Sequence, residues 1–163
     1  MGSQAQPRRD EPAALLASLG CEVLDVLWSF YLLREQPQEP TSTLEGLKTT
    51  KFLSLLTDDI VLRLCKLRDK DPRAVSFESA AKRLGRIPLL AQPLEDYRKL
   101  TDSLKEHRDK RIAHREQCRP QLEPLVQLLE AVRLAARIVD LLQGQHNTYA
   151  VEGLNLRREV LGE

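Results

Sequence analysis

The sequence predicts an all-α protein, an up-and-down bundle of four main helices plus a short extra helix. Strong helix formers such as Leu, Ala, Glu and Arg dominate the composition. Apolar residues recur at steps of three and four along several long stretches, which is the spacing of one helix face. Segments rich in Val, Ile and Thr with alternating polarity are rare, so a sheet has little support.

One globular domain is expected from the length of 163 residues, with 42% hydrophobic and 30% charged residues. Residues 1–10 lack an apolar core and are predicted to be a disordered lead-in rather than a signal peptide. The bundle is expected over residues 11–145, and residues 146–163 are predicted to form a C-terminal tail with a short helix. No apolar run approaches the roughly 20 residues that a membrane span needs, so no membrane partner is expected.

The first two helices are predicted from their apolar faces. The first is expected from about Glu11 to Glu35, and its face comprises Leu16, Leu19, Val23, Val26, Phe30 and Leu33. Trp28 is interpreted as a core or dimer-contact residue. The second helix is expected from about Thr43 to Asp69, with Ser42 as its N-cap three residues before Glu45.

Three further helices complete the predicted bundle. A short one is expected over Ser76–Leu84, with Gly85 in the left-handed position that follows a helix end. After a connector, the next is expected from Pro93 to about Glu116. The last long helix, from about Pro120 to Gln143, is apolar on two sides and is therefore expected to be central.

The inward face of the helix after Pro93 changes from apolar residues to arginine. Its buried stripe is expected to comprise Leu94, Tyr97, Thr101 and Leu104, and the next steps of four and three land on Arg108 and Arg111. An unpartnered buried guanidinium costs several kcal/mol. Either a cleft opens here, or anions of a ligand or of acidic residues meet these arginines. The candidate acidic partners are Asp25, Asp58 and Asp59.

The same segment concentrates charge in a chain whose net charge is only +1. Between Arg108 and Arg119 there are five Lys or Arg residues against two acidic ones, so contact with a polyanion would be local. The 2′-hydroxyl of RNA can cleave the adjacent phosphodiester if a base takes its proton and a cation stabilises the phosphate. Imidazole and guanidinium supply these two functions, which makes His114 with Arg108 or Arg111 the leading site hypothesis.

Other kinds of site have less support. Glycine-rich phosphate loops are missing from the sequence, so no cofactor is expected. His114 and Cys118 alone do not make a zinc site, and no metal is expected. The three cysteines are far apart and lack a Cys-x-x-Cys pair, which favours a reducing, cytoplasmic location. Cys21 and Cys65 lie on apolar stripes and are expected in the core.

The segment Arg108-Asp109-Lys110-Arg111-Ile112-Ala113-His114 resembles the Arg-x(4–6)-His motif of the HEPN superfamily of helical bundles. It is particularly similar to the abortive-infection, AbiU-like branch. The resemblance implies a HEPN-like fold and a metal-independent endoribonuclease of a phage-defence or toxin–antitoxin system. It also implies a homodimer whose interface forms the cleft, RNA as substrate and an antitoxin protein as partner. By this resemblance Arg108 and His114 are catalytic, with Asp109 as their polar companion.

Around that motif, Arg111, Arg115 and His107 are predicted to bind the RNA substrate. On a straight helix Arg108 and His114 would point about 120° apart, so a helix break or a second subunit would have to bring them together. Arg111 and His114 are the better pair on a continuous helix. Two alternatives stay open: a non-catalytic module that binds RNA, a nucleotide or a protein, and a purely structural dimerisation domain.

Overall fold

The computed structural model describes residues 12–35, 42–71, 73–109 and 125–163. Within these ranges the chain is almost entirely helical, with one two-stranded hairpin, which confirms the predicted all-α class. The elements in chain order are α1 Pro12–Arg34, α2 Thr43–Leu67, α3 Phe77–Arg83, α4 Ile87–Leu100, α5 Asp102–His107, α6 Leu125–Gln143, β1 Ala150–Val151, β2 Leu154–Asn155 and α7 Leu156–Leu161.

Helix α6 lies at the centre of the described part of the fold, where it contacts α1, α2, α3 and α4. The prediction that it is apolar on two sides is confirmed, because both of its stripes are buried. The buried residues are Leu128, Ala131, Val132, Ala135, Ala136, Ile138, Val139 and Leu142. Small alanines on this helix let neighbouring helices approach closely, so the core forms around α6.

Helices α1 and α2 pack against each other and run in opposite directions. Three polar pairs fix their register: Ser29 donates to Asp59 at 2.9 Å, Arg63 donates to Asp25 at 2.8 Å, and Lys66 contacts Glu22. The Ser42 hydroxyl accepts a hydrogen bond from the Glu45 backbone at 3.2 Å, so the predicted N-cap of α2 is confirmed.

Helix α1 is long and apolar enough to cross a membrane by length and composition, which the sequence expectation had missed. A helix that fills a protein core passes the same test. One face of α1 does so here, since Leu19, Val23 and Leu27 are fully buried. Cys21 is exposed on the same helix, so its expected core position is wrong, whereas Cys65 on α2 is buried as predicted.

The helix predicted from Pro93 begins earlier, at Ile87, and therefore includes the segment expected to be a connector. Pro88 occupies its first turn, where a missing backbone N–H costs nothing. Pro93 lies inside the helix. The helix continues through it because Leu90, Leu94 and Tyr97 form one buried face on either side of this residue.

Residues 146–163, expected to be a tail beyond the bundle, pack onto it. Tyr149, Leu156 and Leu161 are buried in the main core, and α7 contacts α1. A partly buried ion pair holds this segment, in which Arg157 donates to the Asp140 carboxylate of α6 at 2.8 Å. The short helix predicted in this segment is present as α7, preceded by the hairpin of β1 and β2.

Candidate functional site

The site is built on the apolar stripe that runs through α4 and α5. Leu94, Tyr97, Thr101 and Leu104 are all buried, as the spacing predicts. The next position on the stripe is Arg108, whose side chain is 34% exposed. The leucine core therefore ends at this residue, and its guanidinium lies at the rim where water and ligands can reach it.

The helix that carries this stripe is distorted at Thr101. The Thr101 carbonyl oxygen accepts a hydrogen bond from Arg68 of α2 at 2.7 Å, and Arg68 also donates to the Asp102 carboxylate at 2.6 Å. The Thr101 carbonyl keeps its helical hydrogen bond from the Lys105 N–H at 3.1 Å, so Arg68 is a second donor to the same oxygen. The two contacts of Arg68 tie the junction of α4 and α5 to the end of α2.

A second irregularity lies at Arg108 itself. After α5 ends at His107, residues 108 and 109 form a wider, π-type helical turn. Such turns re-aim side chains relative to a straight α-helix and are frequent at functional sites. This π-type turn lies at the first two residues of the motif, Arg108 and Asp109.

The Arg108 guanidinium is held by the carboxylate that follows it in the sequence. Its Nε and Nη2 atoms donate to Asp109 Oδ1 at 2.8 and 2.6 Å. This hydrogen bond is the main cause that raises the pKa of Arg108, so the side chain is a permanent cation. The prediction that Asp25, Asp58 or Asp59 would meet Arg108 is wrong, since its ion pair is with Asp109.

Asp25 and Asp59 belong to a different ionic cluster on the face shared by α1 and α2. Arg63 donates to Asp59 at 3.0 Å, to Asp25 at 2.8 Å and to Glu22 at 3.1 Å. This cluster takes up two of the three acidic residues, Asp25 and Asp59, that the sequence offers to Arg108. Among the described residues the ion pair of Arg108 is with Asp109, and the Arg108 side chain is 34% exposed.

The C-terminal part of α2 lies near Arg108. The Cys65 thiol is buried there, and burial raises its pKa, while the nearby charges of Arg108 and Arg68 act in the opposite direction. Arg68, Lys105 and Arg108 thus place three cations around this point, and Asp69, Asp102 and Asp109 offset them.

The other predicted site residues lie beyond what the structure describes. His114, Arg111 and Arg115 fall in the segment 110–124, as does Cys118. His107 is the last residue of α5, and its side chain is outside the described part. The structure therefore brings together Arg108 and Asp109 of the predicted set and gives no position for the partner imidazole.

Sequence reasoning missed the part that Arg68 plays. Arg68, which follows the last residue of α2, bridges to Thr101 and Asp102. A contact between residues more than thirty positions apart leaves no local pattern. The sequence feature that could have indicated this contact is Thr101, a polar residue on an otherwise apolar stripe.

Comparisons of this chain with protein-family models, with curated proteins and with solved structures found no match. Among the described residues, no group of three His, Cys, Asp or Glu side chains is arranged to hold a metal ion. The resemblance to the HEPN superfamily therefore stays a prediction from the sequence around Arg108.

Proposed function

We propose that this protein is a HEPN-like helical bundle and a metal-independent endoribonuclease that cleaves RNA with Arg108 and His114. The observation that carries the proposal is the position of Arg108. It ends a buried leucine stripe at a widened helical turn, is held by Asp109, and is one-third exposed. An oriented and accessible guanidinium is what the motif requires for binding a phosphate.

In the proposed reaction the 2′-hydroxyl of RNA attacks the adjacent phosphorus. A neutral His114 takes the proton of that hydroxyl as the new O2′–P bond forms. Arg108 donates hydrogen bonds to the non-bridging oxygens, whose negative charge increases in the transition state. The P–O5′ bond breaks, and the leaving oxygen takes a proton from water or from the imidazolium. The products are a 2′,3′-cyclic phosphate and a 5′-hydroxyl.

Asp109 acts as a positioning residue in this scheme. Its carboxylate fixes Nε and Nη2 of Arg108, which orients the guanidinium for the substrate. His107, Arg111 and Arg115 are proposed to bind neighbouring phosphates of the RNA. They would add positive charge to a site where the described cations near Arg108 are offset by Asp69, Asp102 and Asp109.

The finer architecture and the biological setting belong to the same proposal. The described helices are proposed to form the up-and-down arrangement of HEPN bundles, with two copies of the chain forming the RNA cleft. A homodimer would offer a second route across the angular gap between Arg108 and His114, since the pair could come from different subunits. A cytoplasmic role in phage defence or a toxin–antitoxin system, neutralised by an antitoxin protein, follows from the resemblance.

A second candidate function is a HEPN-like module that binds RNA, a nucleotide or a protein without cutting. The observation that favours it is the ion pair itself, because a guanidinium held by Asp109 can bind phosphate whether or not a base lies nearby. Cleavage also requires the imidazole of His114. The two functions therefore differ in whether the bound RNA is cleaved or stays intact.

Incubation of a labelled RNA with the purified protein in EDTA separates these two functions. We expect cleavage, because the proposed chemistry uses only side chains of this protein and the 2′-hydroxyl. RNA that is bound and stays intact, as measured by gel shift alongside the cleavage assay, would favour the binding module instead.

A further inference from the structure

The first half of α2 carries apolar side chains that the described part of the fold does not cover. The buried residues of α2 begin at Leu56, so none of the residues from Thr43 to Leu55 is buried. Leu44 and Leu55 in this half are 63% and 53% exposed. Because most helical stability in proteins comes from packing of an apolar face, a short helical stretch with an uncovered apolar face favours a partner.

These leucines belong to one exposed stripe that continues onto the second half of α2. Leu44, Leu55 and Leu62 are separated by 11 and 7 residues, which places them within about 20° of one line along the helix. Helix α2 carries five of the eight large hydrophobic residues that are exposed in the described part. An apolar surface concentrated on one element is typical of a protein–protein contact.

The first half of α2 is basic. Lys48 and Lys51 are exposed there, and within the described part neither side chain forms an ion pair or a hydrogen bond. With Glu45 as the acidic residue of this half, the two lysines leave one excess positive charge between Thr43 and Leu55. This charge lies beside the exposed leucines and would face whatever covers them.

The second half of α2, with the neighbouring part of α1, is acidic. Arg63 and Lys66 are the two cations of the ionic cluster there, and they are shared by three carboxylates, those of Glu22, Asp25 and Asp59. Three carboxylates against two cations leave one excess negative charge in this cluster. Asp25 is exposed and Asp59 is partly exposed, so the negative charge is accessible at the surface.

A second copy of the chain matches this distribution, because the basic and acidic regions lie on either side of Leu55. Lys51 precedes Leu55 by four residues, and Asp59 follows it by four. If two α2 helices pack antiparallel about a twofold axis at Leu55, Lys51 of each copy lies level with Asp59 of the other. The same axis places Leu55 against its own copy, and each favourable contact occurs twice.

We propose that two copies of this chain associate through the exposed stripe of α2. The helices pack antiparallel with Leu55 on the twofold axis, and Lys51 of each copy meets the acidic cluster of Asp25 and Asp59 of the other. This contact gives the first half of α2 the packing that it lacks within the described part of one chain.

The proposed contact is separate from the RNA cleft and does not depend on the ribonuclease function. Cys65, which lies near Arg108, is ten residues from Leu55 along α2. At 1.5 Å per residue in each copy, the axis at Leu55 would hold the two Arg108 regions about 30 Å apart. A protein that cleaves no RNA could therefore still form this contact.

Disulfide trapping of the full chain tests the position of the axis. Leu55→Cys is made in a chain that also carries Cys21→Ser and Cys118→Ser, and Leu89→Cys on α4, at a position of similar exposure, is the matched control. Residues on a twofold axis meet their own copies at high effective concentration, so under mild oxidation Leu55→Cys should form a linked dimer at least about tenfold faster than Leu89→Cys. Non-reducing gels measure the linked species. Linking of Leu55→Cys no faster than Leu89→Cys overturns the proposal.

The charge pairing is tested by a second substitution in the Leu55→Cys chain. Lys51→Glu opposes the acidic cluster at both symmetric contacts and should slow linking about tenfold or more. Lys70→Glu makes the same change at an exposed lysine beyond the end of α2 and should leave the rate within about twofold, because distant exposed charges are screened by salt. Both positions are exposed, so both variants should fold, as circular dichroism can verify. Equal linking rates for the two variants would also overturn the proposal.

Discussion

Arg108→Gln and His114→Ala are each expected to lower RNA cleavage at least about a hundredfold while the protein stays folded, because positioned acid–base groups and charge stabilisers contribute effects of this size. Gln keeps a polar side chain of similar length but cannot stabilise charge on the phosphate. Arg108 is partly exposed and its ion pair within the described residues is with its neighbour Asp109, so its loss should change stability little. Initial rates in EDTA and thermal unfolding measure the two effects separately.

Matched controls exist for both variants. Arg137 on α6 and His146 after α6 are exposed residues away from the motif. Arg137→Gln and His146→Ala should therefore cleave RNA at the unmodified rate. The account of the site fails if either control loses as much activity as its counterpart, or if Arg108→Gln and His114→Ala retain theirs.

Arg157→Ala is expected to destabilise the fold by about 3 kcal/mol, the lower part of the range for breaking a buried ion pair. The Arg157 side chain is only 6% exposed and joins the Asp140 carboxylate to Glu163. Its removal would leave the half-buried Asp140 carboxylate with a hydrogen bond from the Asn147 side chain at 2.8 Å and one from the Asn147 backbone at 2.9 Å. Those two donors place the expected loss at the lower end.

Urea denaturation followed by circular dichroism measures this loss. In a chain of this length, about 3 kcal/mol corresponds to a fall of roughly 6–12 °C in Tm. Arg158→Ala, one residue along on the exposed side of α7, removes the same charge and should unfold within about 0.5 kcal/mol of the unmodified protein. Equal destabilisation by the two variants would mean that Arg157 does not anchor the C-terminal segment.

Local patterns predicted most of the helices. The N-cap hydroxyls of Ser42 and Ser76 each bond to the backbone three residues on, and Gly85 has a φ of +64° as the short helix requires. Periodicity identified the buried stripe from Leu94 to Leu104. These features depend on residues three or four apart, which is why the sequence is sufficient for them.

Two misjudgements of the fold have a common cause. The sequence predicts a helix start at Pro93, although Pro88 already occupies the first turn and the packing of Leu90 carries the helix through Pro93. The polar composition of the last 18 residues predicts a tail, although the Arg157 side chain in that segment is buried and pairs with Asp140. In both cases tertiary contacts override a local signal.

At the site, the sequence predicted where the apolar core ends but not which side chains contact Arg108 and Thr101 there. The four-residue spacing from Leu104 to Arg108 predicts that the buried apolar stripe ends at Arg108. The partial exposure of the Arg108 side chain agrees with this prediction. The acid that holds Arg108 and the bridge from Arg68 to Thr101 depend on side-chain geometry and on a distant helix. Neither has a periodic signature.

The most direct measurement for the proposed chemistry compares an RNA oligonucleotide with its fully 2′-deoxy counterpart, both incubated with the protein in EDTA. The nucleophile is the 2′-hydroxyl of the substrate, so the RNA should be cut to products ending in a 2′,3′-cyclic phosphate while the deoxy strand stays intact. A His114→Ala preparation purified in parallel should leave both strands intact. Cleavage of both strands at similar rates, or of neither, would contradict the assignment of Arg108 and His114 as a ribonuclease pair.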